Sequence, residues 1–543
     1  MPEFARDFPT RRYPLPRMAS DDGGLESIGT AAALASNVIY RAVRGIDPQV
    51  TAMPPLEVQN DLHDPFAELL LKQGQFPQTL RALLSALDNH NGAQNGLPQQ
   101  QSFLVADGGK ILWTQQTKDL NRFFRLAVAR ARNDDFQILI SSGVNVDSAG
   151  SFLQVIGWDA TNLVYNYYER LQGLWIWAGN SWHALNPLSR GQGPFDSHVN
   201  GSLVMKELKI PWTHWHSQSS AISPDALAPG DPFRAEPLFI NRQGAQLLQD
   251  NIVQPGIDRW TAARLDHDLK KGELPARDYL LQLLTTTTVN LVAADVPSRG
   301  VKIGDRVRLP VSFFLNSDAL FDRLGIAANV QHIQIDGKVY LDSLQHFQVA
   351  LRQLDANGNE VFRQPGDTHF AFLVPEVAYE DLAVLSALLD RAIISARLAA
   401  CLLMVDFPNP IHSPRREKLL QHVPGTARFV NGKCDLEDAL VFQLQAAAAT
   451  APVDSVEREF IDNWNLGASW QARFAGDIEN YFAAVQQRAN TQAGFFDYFR
   501  LAESRRRVFR NMKLAEFDLT TAVTNIPATD PPRFMQTNGT VKP

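Results

Sequence analysis

The sequence predicts an α+β fold in which antiparallel β meanders pack against segregated helices, with a predominantly helical C-terminal part. Three observations carry this. Between Phe136 and Ala178, four short β-rich runs are separated by turn signals. A second set of such runs follows Val301, and from Glu376 onward apolar residues recur at helical spacing. On these grounds the chain divides into an N-terminal arm with helices (1–100), a Trp-rich antiparallel β region (101–235), a helical connector (236–299), a second β region with hairpins (300–375), a helical C-terminal region (376–525) and a tail (526–543).

In chain order, residues 1–26 are rich in Pro, Arg and Asp and read as an extended arm, and the Ala-rich stretch 28–43 has helical spacing. In 65–87, Phe66, Leu69, Leu70, Leu80, Leu83, Leu84 and Leu87 form one helical stripe, after which the polar stretch 88–101 is a boundary loop. Residues 119–132 read as a short helix. The period then changes to strands at 136–142, 152–158, 163–170 and 174–178, with turns at 143–150, 159–162 and Gln172-Gly173. Tight turns between short runs favour a meander over βαβ units. A strand is expected at 203–208, and helix returns over 240–284 with Pro255 as a break. Asp336-Gly337 between two β-rich runs predicts a two-residue hairpin, and the stretch 355–359 predicts another. In the C-terminal part, Asp454 and Glu457 have capping-box spacing, and Phe474, Ile478, Phe482 and Val485 mark a buried helix face. The Pro- and Thr-rich end reads as a docked or frayed tail.

Composition narrows the function classes. The 543 residues are 45% hydrophobic and 20% charged, enough for a large core. A formal charge of -7 and a pI near 6.0 provide no basic face for nucleic acid, and the cluster Arg505, Arg506, Arg507 and Arg510 reads as a solvated face or a set of ion pairs. Two cysteines, Cys401 and Cys434, make no disulfide framework. Cys401 sits in an apolar run and reads as a core residue. No signal peptide is evident, and the apolar stretch 384–405 carries Asp390, Arg391 and Arg397, which lipid would disfavour. The expectation is a soluble cytoplasmic protein with neither a nucleic-acid nor a membrane partner.

The sequence holds no phosphate-loop motif, GxGxxG turn, HExxH or cysteine-rich cluster. Its strongest anomaly runs from Trp158 to His216. Six of the ten tryptophans (Trp158, Trp175, Trp177, Trp182, Trp212, Trp215) and four of the twelve histidines (His183, His198, His214, His216) fall there. The glycine-bearing loop 189–201, with Arg190, Asp196 and His198, separates them. Aromatic surface beside convergent polar groups is what a ligand cleft uses, although tryptophans that only fill a sheet–helix core would give the same pattern. If the segment Trp212-Thr213-His214-Trp215-His216 is extended, His214 and His216 share a face about 7 Å apart and can share a metal. The third ligand would come from His198 or Asp196, or from Asp367 or His369. The pair resembles the paired-histidine strand of cupins and of α-type carbonic anhydrases. Residues 217–221 lack the cupin glutamate, however, and no further histidine precedes His267, so neither family is assigned.

Weaker signals are a GNSWH turn around Ser181, an incomplete nucleophile elbow; a proline-rich connector in which His412, Arg415 and Arg416 could line an anionic site; and Glu376 with Glu380, one helical turn apart. The functional expectation is an enzyme of unassigned reaction, oxidative or hydrolytic, acting on a small polar or aromatic ligand. Arg190, Asp196 and His198 are its candidate catalytic residues, and His214 and His216 are metal ligands for iron, zinc or manganese. The rivals are a noncatalytic carbohydrate-type binding protein and an assembly protein whose aromatic patch is a homo-oligomer interface.

Overall fold

The alternation between residues 135 and 180 becomes the centre of an eight-stranded sheet. The computed structural model describes residues 34–106, 124–196, 198–203, 227–286, 289–292, 300–354, 359–365, 374–377, 379–430, 432–511 and 523–543. The strands are β1 (Ile39–Val43), β2 (Asp47–Ala52), β3 (Gln99–Ala106), β4 (Phe124–Arg132), β5 (Asp135–Gly143), β6 (Leu153–Asp159), β7 (Val164–Leu171) and β8 (Leu174–Asn180), in the spatial order β2-β1-β8-β7-β6-β5-β4-β3. From β3 to β8 every neighbour is antiparallel, as a meander requires. β1 joins in parallel beside β8, and β2 folds back on β1. Two of the connections are tight turns whose residues take positive φ, Asn133-Asp134 (53° and 61°) and Gln172-Gly173 (49° and 82°), the twist that joins right-handed strands.

Four expectations are corrected in this half. Residues 39–43, read as part of a helix, form β1, where Ile39, Tyr40 and Val43 are buried between neighbouring strands. The helix expected at 119–132 is β4 over the described residues, and the boundary loop 88–101 already contains the start of β3. Arg130 lies within the 119–132 span. It is buried in β4, and its guanidinium donates to the Leu97 carbonyl (3.0 Å), Gln100 (2.9 Å), Asp88 (2.8 Å) and Asn91 (3.0 Å), tying the polar loop to the sheet. The leucine stripe at 65–87 is buried as expected but lies on two helices, Pro65–Leu69 and Leu80–Asp88, parted by Gly74 in a left-handed conformation and by Pro77.

The C-terminal part is mostly helical, as predicted. Its core gathers the helices Ala276–Leu284, Tyr379–Asp390, Ala396–Leu403, Trp470–Ala489 and Gln492–Asn511. The apolar stretch 384–405 is two core helices with Cys401 fully buried, and among the described residues no helix is long and apolar enough to cross a membrane. Pro255 does not end the helix: it follows directly on the π-helical turn Gln249–Val253 and lies at the second position of Gln254–Lys270, so the chain stays helical through it, with the irregular turn just ahead of the proline. Asp336-Gly337 is not a hairpin turn. Asp336 caps the helix Gly337–His346 by accepting from the Lys338 N–H at 2.9 Å, while Ile333–Asp336 pairs with Arg306–Leu309. The hairpin expected around 355–359 does form, between Ala350–Leu354 and Glu360–Pro365. Ser455, not Asp454, caps the helix Val456–Trp464. Glu376 lies in the strand Val374–Val377, so it makes no helical pair with Glu380. Arg505 is not on a solvated face. It is buried and donates to the carbonyls of Phe313 and Pro408.

Two large apolar cores result, one under the sheet and one among the C-terminal helices, with a small third cluster of Tyr40, Ala42, Leu174 and Ile176 on β1 and β8. Three segments serve both. The helix Gln254–Lys270 gives Ile257 and Trp260 to the first and Leu265 to the second, the helix Tyr379–Asp390 divides likewise at Ala383 and Val384, and the connector after residue 405 divides at Phe407 and Ile411. The seam between the cores is therefore built from residues far apart in sequence.

Candidate functional site

The predicted aromatic site is largely packing. Trp158, Trp175 and Trp177 are buried, with Phe66 4.9 Å from the Trp175 ring and the Trp177 indole donating to Asn166 at 3.0 Å. Trp182 rests edge-on against Trp260 (5.1 Å) and beside His267 (4.7 Å). The GNSWH turn is a capped helix start. Asn180 accepts from the Trp182 and His183 N–H groups, His183 reaches back to the Asn180 N–H, and buried Ser181 accepts from the Tyr165 N–H at 2.9 Å. The Ser181 hydroxyl is thus spent on the sheet, and burial lowers the His183 pKa.

The loop residues fare differently. His198 is buried, its Nδ1 2.9 Å from the Ser202 carbonyl and its ring 5.4 Å from Tyr167. Asp196 ends a short 3-10 turn, and its side chain lies outside the described residues. So do His214, His216, Trp212, Trp215, Asp367 and His369. No cluster of three or more metal-ligating side chains occurs among the described residues. Arg190 reaches the seam. Its guanidinium donates to Asn200 at 2.9 Å, and the Asn200 carbonyl accepts from Trp260 at 2.8 Å. Burial holds the Arg190 pKa below its usual value and neighbouring Arg264 adds to this, while Asp381 and Asp278 oppose it.

From Arg190 a polar layer runs into a cleft in the C-terminal half. Arg264 donates to Gln282 (2.9 Å) and lies over the Tyr279 ring (4.3 Å), and Gln282 donates on to Asp381 (3.2 Å). Gln282 and Asp381 stand on the cleft wall with Thr285, Thr286, Asn316 and Arg416, and leucines 382, 385 and 403 form its apolar side. These groups come from the C-terminal end of the helix Ala276–Leu284 and the residues just after it, from Asn316 ahead of the turn Asp318–Arg323, from the first turns of Tyr379–Asp390, from the end of Ala396–Leu403, and from the short helix Pro414–Glu417 that follows the proline-rich connector.

Arg416 is the unusual member. It is 5% exposed, yet no carboxylate lies within ion-pair distance of it among the described residues. Main-chain carbonyls hold it instead, Pro410 at 2.9 Å, Asn409 at 3.1 Å and Val405 at 3.5 Å, and its Nε makes no hydrogen bond. Burial pulls its pKa down against the more distant Asp406 and Glu459. Its neighbours in the motif are spoken for. Arg415 pairs with Glu459 at 2.8 Å, and the His412 main chain donates to Thr286 at 2.8 Å. Of the three residues that could line an anionic site, the structure therefore brings Arg416 alone to the cleft wall.

No family model matches the chain, and neither a curated protein nor a solved structure matches it. The cleft must be read from its own chemistry. Sequence reasoning reached Arg190 and Arg416 through their glycine- and proline-rich surroundings but missed Asp381, Gln282, Thr285, Thr286 and Asn316, which stand in ordinary helical or loop sequence without a local motif.

Proposed function

We propose that the protein binds a small acid, through its carboxylate or phosphate group, in the cleft at the seam between the two cores. One observation carries the reading: a desolvated guanidinium, Arg416, held only by neutral carbonyls on the wall of a cleft that also presents hydroxyls and amides. A buried cation without a carboxylate retains favourable interaction energy for an anion, and Arg is suited to an oxyanion's planar, two-point geometry. Thr286 and Asn316 stand on the same wall with polar side chains, and leucines 382, 385 and 403 line the apolar side. In the enzymatic form of this proposal, Asp381 is the acid–base group.

Titration calorimetry with acetate and with inorganic phosphate tests it. Arg416→Lys keeps the charge but loses the fork, so it should weaken binding about tenfold or more, and Asp381→Asn should leave oxyanion affinity near wild type. Wild-type protein that takes up neither probe, or binding that survives Arg416→Lys unchanged, defeats the reading.

A further inference from the structure

We infer that the C-terminal hairpin sets Arg416 in the cleft through Asn409, which makes Asn409 a positioning residue; the inference rests on the oxyanion reading above. The hairpin Phe534–Met535 with Val541–Lys542 lies against the connector that carries the cleft's cation. Asn409 is 2% exposed, and its side chain treats Met535 as a strand neighbour would. Oδ1 accepts from the Met535 N–H at 2.9 Å, and Nδ2 donates to the Met535 carbonyl at 2.9 Å. The Asn409 carbonyl in turn accepts from the Arg416 guanidinium at 3.1 Å. One residue thus joins the tail to the cation on the cleft wall.

The geometry of the connector shows why such a clamp is needed. Asp406 (φ 52°) and His412 (φ 54°) both adopt the left-handed conformation, which is costly for residues with a side chain and persists only where the surroundings enforce it. The enforcing contacts are visible. Asn409 Nδ2 also donates to Asp406 at 2.9 Å, the Ser413 hydroxyl donates to Asp406 at 2.6 Å, and the His412 N–H donates to Thr286 at 2.8 Å. The hairpin itself is anchored independently of Asn409. Met535 is buried in the second core, Tyr498 donates to the Gly539 carbonyl at 2.9 Å, and the Arg533 N–H donates to Ser504 at 2.8 Å. Loss of the Asn409 amide therefore frees the connector and leaves the hairpin docked.

The test uses the full chain with acetate and inorganic phosphate as probes. Asn409→Ala should weaken the affinity about tenfold. Phe474→Leu, a buried change on the helix Trp470–Ala489, serves as a control for lost stability and should leave it unchanged. Linkage requires the reciprocal effect in wild-type protein: saturating oxyanion should slow hydrogen exchange at the Met535 amide. This second measurement still decides the question if Asn409→Ala fails to fold. Wild-type affinity in Asn409→Ala, an equal loss in Phe474→Leu, or Met535 exchange that ignores bound ligand overturns the inference while the cleft reading stands. Absence of binding to wild type removes both.

Discussion

Removing the charge of Asp64 should change how stability depends on pH. The carboxylate is fully buried where the helix Pro65–Leu69 meets the sheet. Its Oδ1 accepts from the Phe66 and Ala67 N–H groups at 3.1 Å each, and its Oδ2 accepts from Tyr168 (2.5 Å) and Asn166 (3.0 Å). Burial pushes its pKa from 3.8 up to about 6 in spite of these bonds, with the nearby Asp159 adding to the rise. The native state thus holds the proton more tightly than the unfolded chain. The stabilisation is complete below about pH 4 and is lost as the pH rises through 6. At 1.36 kcal/mol per pH unit, the interval corresponds to about 3 kcal/mol. The assay is urea unfolding followed by tryptophan fluorescence, for wild type and Asp64→Asn, from about pH 4 to about pH 7.5. The amide keeps Oδ1 for the helix N–H groups but sets a donor opposite Asn166, which adds an offset independent of pH. Over that range wild type should lose about 2.4 kcal/mol relative to the variant. A difference between the two curves that stays flat would refute the argument.

Other perturbations are equally direct. Gly157→Ala should cost about 2 kcal/mol or more in urea unfolding, because the added Cβ would stand 2.5 Å from Asp64 Oδ1 and 2.9 Å from its Cβ; a neutral substitution would contradict the close approach. Phe66→Ala should cost about 3–5 kcal/mol, since the ring is fully buried against Tyr168 and Trp175, and a loss below about 1 kcal/mol would contradict that packing. The His412 imidazole should stay neutral at pH 5. Burial, aided by Arg505, lowers its pKa from 6.5 to about 3, so its contribution to stability is present above 6.5 and is lost as the pH falls toward 3; an NMR titration near 6.5 would be incompatible with the buried ring. For the paired histidines, purified protein should carry about one equivalent of iron, zinc or manganese that His214→Ala and His216→Ala both remove, and metal content indifferent to either change would end that reading.

The meander was legible because its information is local. Strands of seven to nine residues with turn residues between them declare themselves within short windows, and the Gln172-Gly173 turn and the 159–162 turn fall where the sequence places them. β1 and β4 were not legible for the converse reason. Both are buried on two faces, so alternation is lost, and their alanines and arginines imitate a helix until the neighbouring strands are known. Asp336-Gly337 failed differently: the same dipeptide that turns a hairpin also caps a helix, and only the partner strand Arg306–Leu309, far upstream, decides between them.

Buried arginine accounts for what was hardest to see at the candidate site. Arg130, Arg264, Arg416 and Arg505 are each nearly inaccessible, whereas the sequence places Arg505 on a solvated face or among ion pairs. Three do local structural work through carbonyls, amides or rings, Arg130 closing a loop, Arg264 bridging to Gln282, and Arg505 holding the 313 and 408 turns. Arg416 also holds carbonyls, but it stands on the wall of the cleft, and its Nε is left without an acceptor. A guanidinium that merely stapled the connector would be as well served in dry packing, as Arg505 is. Its position on a wall shared with Thr286 and Asn316, whose side chains offer further donors to an oxyanion, is what separates a ligand site from a staple. That convergence joins residues 282–286, 316, 381 and 416, a spacing no sequence motif could encode.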